Sequence, residues 1–477
     1  MPRTVRDELA FSTALELAAK VRAREVSPSE LVELYLERIE RLDPRLNAYV
    51  TVDADGARLA ARALDSTAPE APFHGVPLPI KDLHETAGLR TTYSTKAFAD
   101  NVPVFDQAVV RRLRDAGFIV LGKTNTPEFG TIAQTESELN GTCRNPWDTS
   151  RTPGGSSGGA AAAVAAGLSP AAHGSDGGGS IRTPASCCGL VGIKPSRGRV
   201  SPAPYGSGGL GLGISGPIAR TVRDAAALLD VMAGNEPGDF FFAPEPQRAF
   251  FAEADADPGR LRIAVTTEPP VQVPVDPECE AAARATADLL SDLGHDLVEA
   301  TPPWQRDDLL PHFVRVWQVG PATAGIEDLS LLEPINRALA EDARATSSPE
   351  LTLSVLQLQA FVRELVAFWL DVDVLLTPTL ALPPVPIGWT YEETDGDPRL
   401  AFARQTLFTP FTPLVNVTGQ PAVSLPLHWT ATGLPVGVQL IGRPFDEATL
   451  IRLSAQLEQA RSWAGRRPPS PDGSRAV

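Results

Sequence analysis

PGGSSGGAAAAVAAGLSPAAHGSDGGGSIR, residues 153–182, sets two serines, Ser156 and Ser180, into glycine-rich turns on either side of an alanine-rich helical block. Glycine tolerates positive φ and lets backbone N–H groups approach a ligand with no Cβ in the way. The four successive N–H groups of Gly177, Gly178, Gly179 and Ser180 can therefore curl around one oxygen bearing developing negative charge. A hydroxyl beside such a nest supplies what acyl transfer requires, a nucleophile and a cradle for the tetrahedral oxyanion.

Outward from this stretch the chain runs to 477 residues, beyond the roughly 250–300 at which single cores usually stop growing. One unusually large α/β unit or two domains is expected. A composition of 43% hydrophobic and 21% charged residues is that of an ordinary folded protein. The net charge of −16, with no cluster of Lys and Arg, argues against nucleic acid as a partner. No run approaches about 18 consecutive apolar residues, so no membrane span is expected. Met1–Thr13 carries Arg3, Arg6, Asp7 and Glu8 and lacks the apolar centre of a secretion signal. Cys143, Cys187, Cys188 and Cys279 form neither a disulfide framework nor a zinc spacing. The six histidines show no metal-ligand pairing. A reduced, cytoplasmic setting with no metal is the expectation.

Along the chain, Ser27-Pro28-Ser29-Glu30 is a capping box with proline at the first helical position, opening a helix through Arg41. Further helices are expected at 53–64, 106–116, 221–232, 277–293, 353–370 and 446–460. Strands are expected at 76–80, 118–121, 190–193, 261–266 and 372–376, with a hairpin of 422–427 and 436–441. Alternating strands and helices with one late hairpin imply a mostly parallel sheet carrying an antiparallel element, helices on both faces. No linker divides residues 1–467, and 468–477 is expected to be a disordered tail.

Three motifs compete for the chemistry. Gly117-Phe-Ile-Val-Leu-Gly122-Lys123-Thr124 fits the phosphate-loop expression GxxxxGK[ST]. Its central residues are strand-like, however, and Asn125-Thr126-Pro127 follows where a helix should begin. Gly154-Gly155-Ser156-Ser157-Gly158 satisfies GxSxG, but no strand precedes it, and His428 is its lone candidate base. The third joins Lys81, Ser156 and Ser180. Only five lysines occur, and one at an apolar strand end can act as a base if burial lowers its pKa toward working pH.

At this point GVPLPIKDL (75–83), LGKTNTPEFG (121–130), GGSSGG (154–159) and GSDGGGSIRTPASCCGLVGIKPSRGRV (174–200) become informative together. With SGPIARTVRDAAALLD (215–230), FTPLVNVTGQPAVSLPL (411–427) and GLPVGVQLIGRPFDE (433–447), the chain resembles the amidase signature family over nearly its whole length. The resemblance implies a single α/β domain around a large, mixed, twisted sheet covered by helices on both faces. It implies Ser180 as acyl-accepting nucleophile, Ser156 as a bridging serine behind a cis peptide bond, and Lys81 as general base. Gly177, Gly178, Gly179 and Ser180 would form the oxyanion hole, with Ser157, Asp176 and Arg182 supporting them. The implied activity is hydrolysis of a linear, aryl or cyclic carboxylic amide through an acyl-enzyme, with no cofactor. The implied partner is a small-molecule amide, with a homodimer left open.

Many relatives carry threonine or isoleucine at the position of Gly177. The DGGGS form is similar to the branch containing 6-aminohexanoate cyclic-dimer hydrolases, and the missing side chain is expected to admit a bulkier substrate or loosen the loop. The rival within the family is the glutaminase subunit of a glutamyl-tRNA(Gln) amidotransferase. A third reading is an esterase that uses Ser156 in a nucleophile elbow. Phe313, Trp317 and Trp389 are the candidate pocket aromatics. Lys123 and Lys194 are assigned to structure or solvation, and the cysteine pair 187–188 to packing.

Overall fold

The capping box at Ser27 forms in both directions, and the helix Pro28–Leu42 that follows buries Leu31, Leu34, Tyr35, Ile39 and Leu42 along one stripe. Asp53, Thr221 and Asp276 likewise accept backbone N–H groups at the starts of Ala54–Asp65, Val222–Met232 and Pro277–Asp292. In the computed structural model the described residues are 3–207, 211–306 and 308–469.

An eight-stranded mixed sheet runs in the order Asp296–Glu299, Arg262–Val265, Val374–Pro378, Pro435–Gly442, Ala422–Trp429, Val191–Lys194, Ile214–Ala219, Ala171–Asp176. Only the two pairings of Arg262–Val265 are parallel, and the other five are antiparallel. The mostly parallel sheet read from the sequence is thus corrected. Ala171–Asp176 and Ile214–Ala219 are rich in Ala, Gly, Ser and Pro, so neither announced itself as a strand, and they pair antiparallel with each other.

Both faces of the sheet are covered. Along Pro435–Gly442, Val436, Val438 and Leu440 pack in the cluster of Leu450, Leu453 and Leu457 from the helix Glu447–Ala460. Ile441 points the other way, into the cluster of Leu358, Phe361 and Leu365. That alternation is the two-residue period of a strand between two apolar layers.

The second cluster holds a departure from expectation. Ser348–Leu370, 23 residues at a mean hydropathy of 1.4, is long and apolar enough by length and composition to cross a membrane. Polar residues such as Gln357, Gln359, Arg363 and Glu364 interrupt it, so no unbroken apolar run marks it in the sequence. Leu358, Phe361 and Leu365 are nonetheless buried against Trp304 and Leu309. At the other end, Pro468 is buried, and the remainder of the expected tail from 470 onward lies outside the described residues.

A three-stranded sheet carries the catalytic lysine candidate. Ile119–Thr124 lies between Tyr49–Val52 and Pro77–Lys81, with Ile80 opposite Lys123 and Lys81 opposite Thr124. Pro77–Lys81 also packs on Ala171–Asp176, the edge strand of the main sheet. The end of one sheet thereby meets the loop that leaves the other, which brings Lys81 to the glycine-rich turn.

Candidate active site

Lys81 is fully buried at the end of its strand. Its Nζ donates to Ser156 Oγ at 2.8 Å and to the Ser175 carbonyl at 3.1 Å. Ser156 follows a cis Gly155–Ser156 peptide bond and leads into the wholly buried helix Gly158–Ala165. Small residues are obligatory there: a Cβ on Gly159 would stand 2.4 Å from Asn125 N and 2.5 Å from Ala48 O. Ser157 N–H donates to the Ser180 carbonyl at 3.1 Å, which sets the two serine turns side by side. Ser157 Oγ shares the Ser175 carbonyl with Lys81, also at 3.1 Å. Among the described residues no hydrogen bond joins the Ser156 and Ser180 hydroxyls.

Burial pulls the Lys81 ammonium down to about 7, the Asp176 carboxylate opposing it. Asp176 is itself fully engaged. Burial alone would raise it, but the Arg182 guanidinium holds it well below the usual carboxylate range. Arg182 Nη2 lies 2.9 Å from Asp176 Oδ1 and its Nε 3.0 Å from Oδ2. The rest of the guanidinium donates to Gln439 Oε1 at 2.7 Å and Asn416 Oδ1 at 2.6 Å. Asn416 returns a hydrogen bond to Asp176 Oδ1 at 2.9 Å. Asn416 and Gln439 lie more than 230 positions along the chain from Arg182, and nothing in the sequence tied them to the loop.

The nest differs from its reading in one donor. Gly179 N–H is spent on Asp176 Oδ1 at 2.7 Å, so it is not free for an oxyanion. The amides of Gly177, Gly178 and Ser180 have no partner among the described residues. Gly179 sits at φ +130°, and a Cβ there would stand 2.3 Å from Thr412 Oγ1. Thr412 in turn donates to the Gly178 carbonyl at 2.7 Å, turning that peptide's N–H side away from Thr412.

Ser180, Gly178 and Gly179 open onto a cavity of about 380 Å³. Its wall includes Phe313 and Trp317, stacked with ring centroids 5.5 Å apart, together with Leu339 and Phe402. The space expected beside Gly177 is already filled: a Cβ there would lie 3.2 Å from the Trp317 ring. Trp389 does not line the cavity. It is buried against Phe408, with Arg404 over its face, because the loop carrying it folds back onto the core.

The same geometry bears on the competing motifs. Ile119–Thr124 is a strand, and Lys123 is buried 3.7 Å from Asp82 Oδ1, not presented to a phosphate. His428 Nε2 pairs with Glu278 at 2.7 Å, so the group beside the elbow serine is Lys81 and not His428. Lys194 is buried as well, donating to the Pro195 carbonyl at 3.0 Å, so neither lysine serves solvation.

The mixed α/β fold thus brings a buried amine, two serine turns and a main-chain nest to one place. The chain matches the family model described as Amidase over residues 30–451. It is 40% identical to the 6-aminohexanoate-cyclic-dimer hydrolase of Paenarthrobacter ureafaciens, over 98% of both chains. It is 35% identical to a glutamyl-tRNA(Gln) amidotransferase subunit of Roseiflexus sp. (strain RS-1), over 98% of this chain and 99% of that one. It superposes on the solved structure of a 6-aminohexanoate cyclic dimer hydrolase with a TM-score of 0.91 at 36% identity, covering 96% of this chain and 99% of that one. The chain belongs to the amidase family and is a hydrolase acting on amides.

Proposed function

We propose that Ser180 is the nucleophile toward a neutral carboxylic amide, linear, aryl or cyclic, with Ser156 as proton bridge and Lys81 as general base. The observation that carries this reading is the 2.8 Å contact of a fully buried Lys81 Nζ with Ser156 Oγ, beside the Ser180 turn. Neutral Lys81 takes the Ser156 proton as Ser156 takes that of Ser180, and Ser180 Oγ bonds to the amide carbon. The oxyanion is received by the free amides of the nest, each worth about 3–4 kcal/mol. The relayed proton passes to the amide nitrogen, the C–N bond breaks and the amine leaves. Water then repeats the cycle on the acyl-serine.

The cavity favours an apolar substrate over glutamine. Of its two guanidinium groups, Arg306 is paired with Asp308 and Arg399 with Asp342, each at 2.7 Å, so neither is spare for a substrate carboxylate. The likeness to the amidotransferase chain keeps glutamine in the test. Aryl, linear and cyclic amides and glutamine are offered to the purified protein alone. Turnover of neutral amides, lost in Ser180→Ala, is expected, whereas turnover of glutamine only would favour the amidotransferase reading.

A further inference from the structure

Behind Lys81 stand three polar side chains that the reaction does not use. Lys81 N–H donates to His173 Nδ1 at 3.4 Å. His173 Nε2 lies 3.2 Å from Ser215 Oγ, and Ser215 Oγ lies 3.0 Å from His84 Nε2. His84 N–H then donates to the Lys81 carbonyl at 3.2 Å. The hydrogen bonds close on themselves and take in both backbone polar groups of Lys81. The three side chains come from separate places: His173 from Ala171–Asp176, Ser215 from Ile214–Ala219, and His84 from the turn after Lys81. The two imidazoles meet edge to face with centroids 4.4 Å apart.

Proton positions follow from this geometry. A neutral imidazole has one donor and one acceptor nitrogen. His173 Nδ1 accepts from Lys81, so its proton sits on Nε2 and is donated to Ser215 Oγ. Ser215 Oγ also meets His84 Nε2, and with two lone pairs it can accept from both imidazoles. A cationic His173 would oppose an N–H to the Lys81 N–H, donor against donor. Burial acts in the same direction, holding both imidazoles well below their ordinary range. The charged and titratable groups acting here are Asp176 on Lys81, Lys81 and Lys123 on both imidazoles, and His173 on His84.

We propose that the His173–Ser215–His84 ring is a positioning device for the base, holding the Lys81 backbone so that Nζ stays on Ser156 Oγ and away from water. This rests on Lys81 being the base. The test measures kcat and KM for a neutral aryl amide across pH in the wild type, His173→Leu, His173→Asn, Ser215→Ala and Lys81→Ala. Rates are normalised to the folded fraction from melting curves. His173→Leu is expected to lower kcat about 100-fold with KM within about 3-fold, the scale of a misplaced catalytic group. It should also move the acid limb of kcat/KM to higher pH, because a loosened lysine regains water and its charged form.

His173→Asn, whose carboxamide oxygen can accept from Lys81 N–H, should recover most of the rate and return the limb. Ser215→Ala should shift the limb in the same direction by less, and it decides the matter alone if His173→Leu does not fold. A kcat per folded molecule and an acid limb both unchanged would overturn the proposal. So would activity that falls only with the folded fraction, at a fixed limb. Lys81→Ala keeps the two claims apart. If it retains the wild-type rate, the base assignment fails; if it is inactive while the ring variants are unchanged, the ring alone fails.

Discussion

Lys81 and Lys123 stand on neighbouring strands, both fully buried, in different chemical company. Lys123 Nζ lies 3.7 Å from the Asp82 carboxylate and donates to Thr91 Oγ1 and the His84 carbonyl at 2.6 Å each. Lys81 donates to one hydroxyl and one carbonyl, and the carboxylate acting on it, Asp176, is committed to Arg182. Burial lowers Lys81 to about 7 against Asp176 alone, and Lys123 to about 8 against Asp82, Glu85 and Asp106. Burial by itself does not make a lysine a base. Each of the two meets one hydroxyl and one carbonyl, so the proposed base is set apart by its charged company: Asp82 makes Lys123 a structural ion pair, whereas Asp176 is held by Arg182.

The comparison breaks first at Lys81. Lys81→Ala is expected to lower kcat by about 10⁴-fold with the fold retained, as for a member of a cooperating catalytic set. Steady-state rates and a melting curve check both halves, and an active Lys81→Ala enzyme would erase the distinction between the two lysines. The complementary change, Lys123→Met, should act on stability, because it leaves the Asp82 carboxylate buried without its cation. A loss of about 3–5 kcal/mol in denaturant unfolding is expected; an unchanged midpoint would mean that Asp82 needs no partner. The smallest effect is at the cavity. Gly177→Ala brings a methyl to 3.2 Å from Trp317, and should cost about 1 kcal/mol of stability. Its effect on KM should be confined to the bulkiest amides, which a substrate series would detect.

Residues differed in how far the sequence disclosed them. That Lys81 meets the Ser156 turn, with the Ser180 turn beside it, was legible because glycine runs and a rare lysine at a strand end are local signals. The capping helices were legible for the same reason. Asn416, Gln439 and Thr412 were not, since their role exists only once the distal strands and loops fold over the Ser180 turn. His173 and Ser215 were hidden in strands whose small residues carry no β pattern. Gly177 misled because an absent side chain does not say what fills the space. Trp389 misled because a tryptophan in a proline-rich loop reads the same whether it faces a cavity or the core.

Labelling by a fluorophosphonate tests the central claim most directly, with the modified residue located by peptide mass spectrometry and the rate followed across pH. The base works only when uncharged, so the rate should be low where Lys81 holds its proton, rise through about pH 7 and then level off. The label should sit on Ser180. A label on Ser156, or a rate indifferent to pH across that range, would contradict the account.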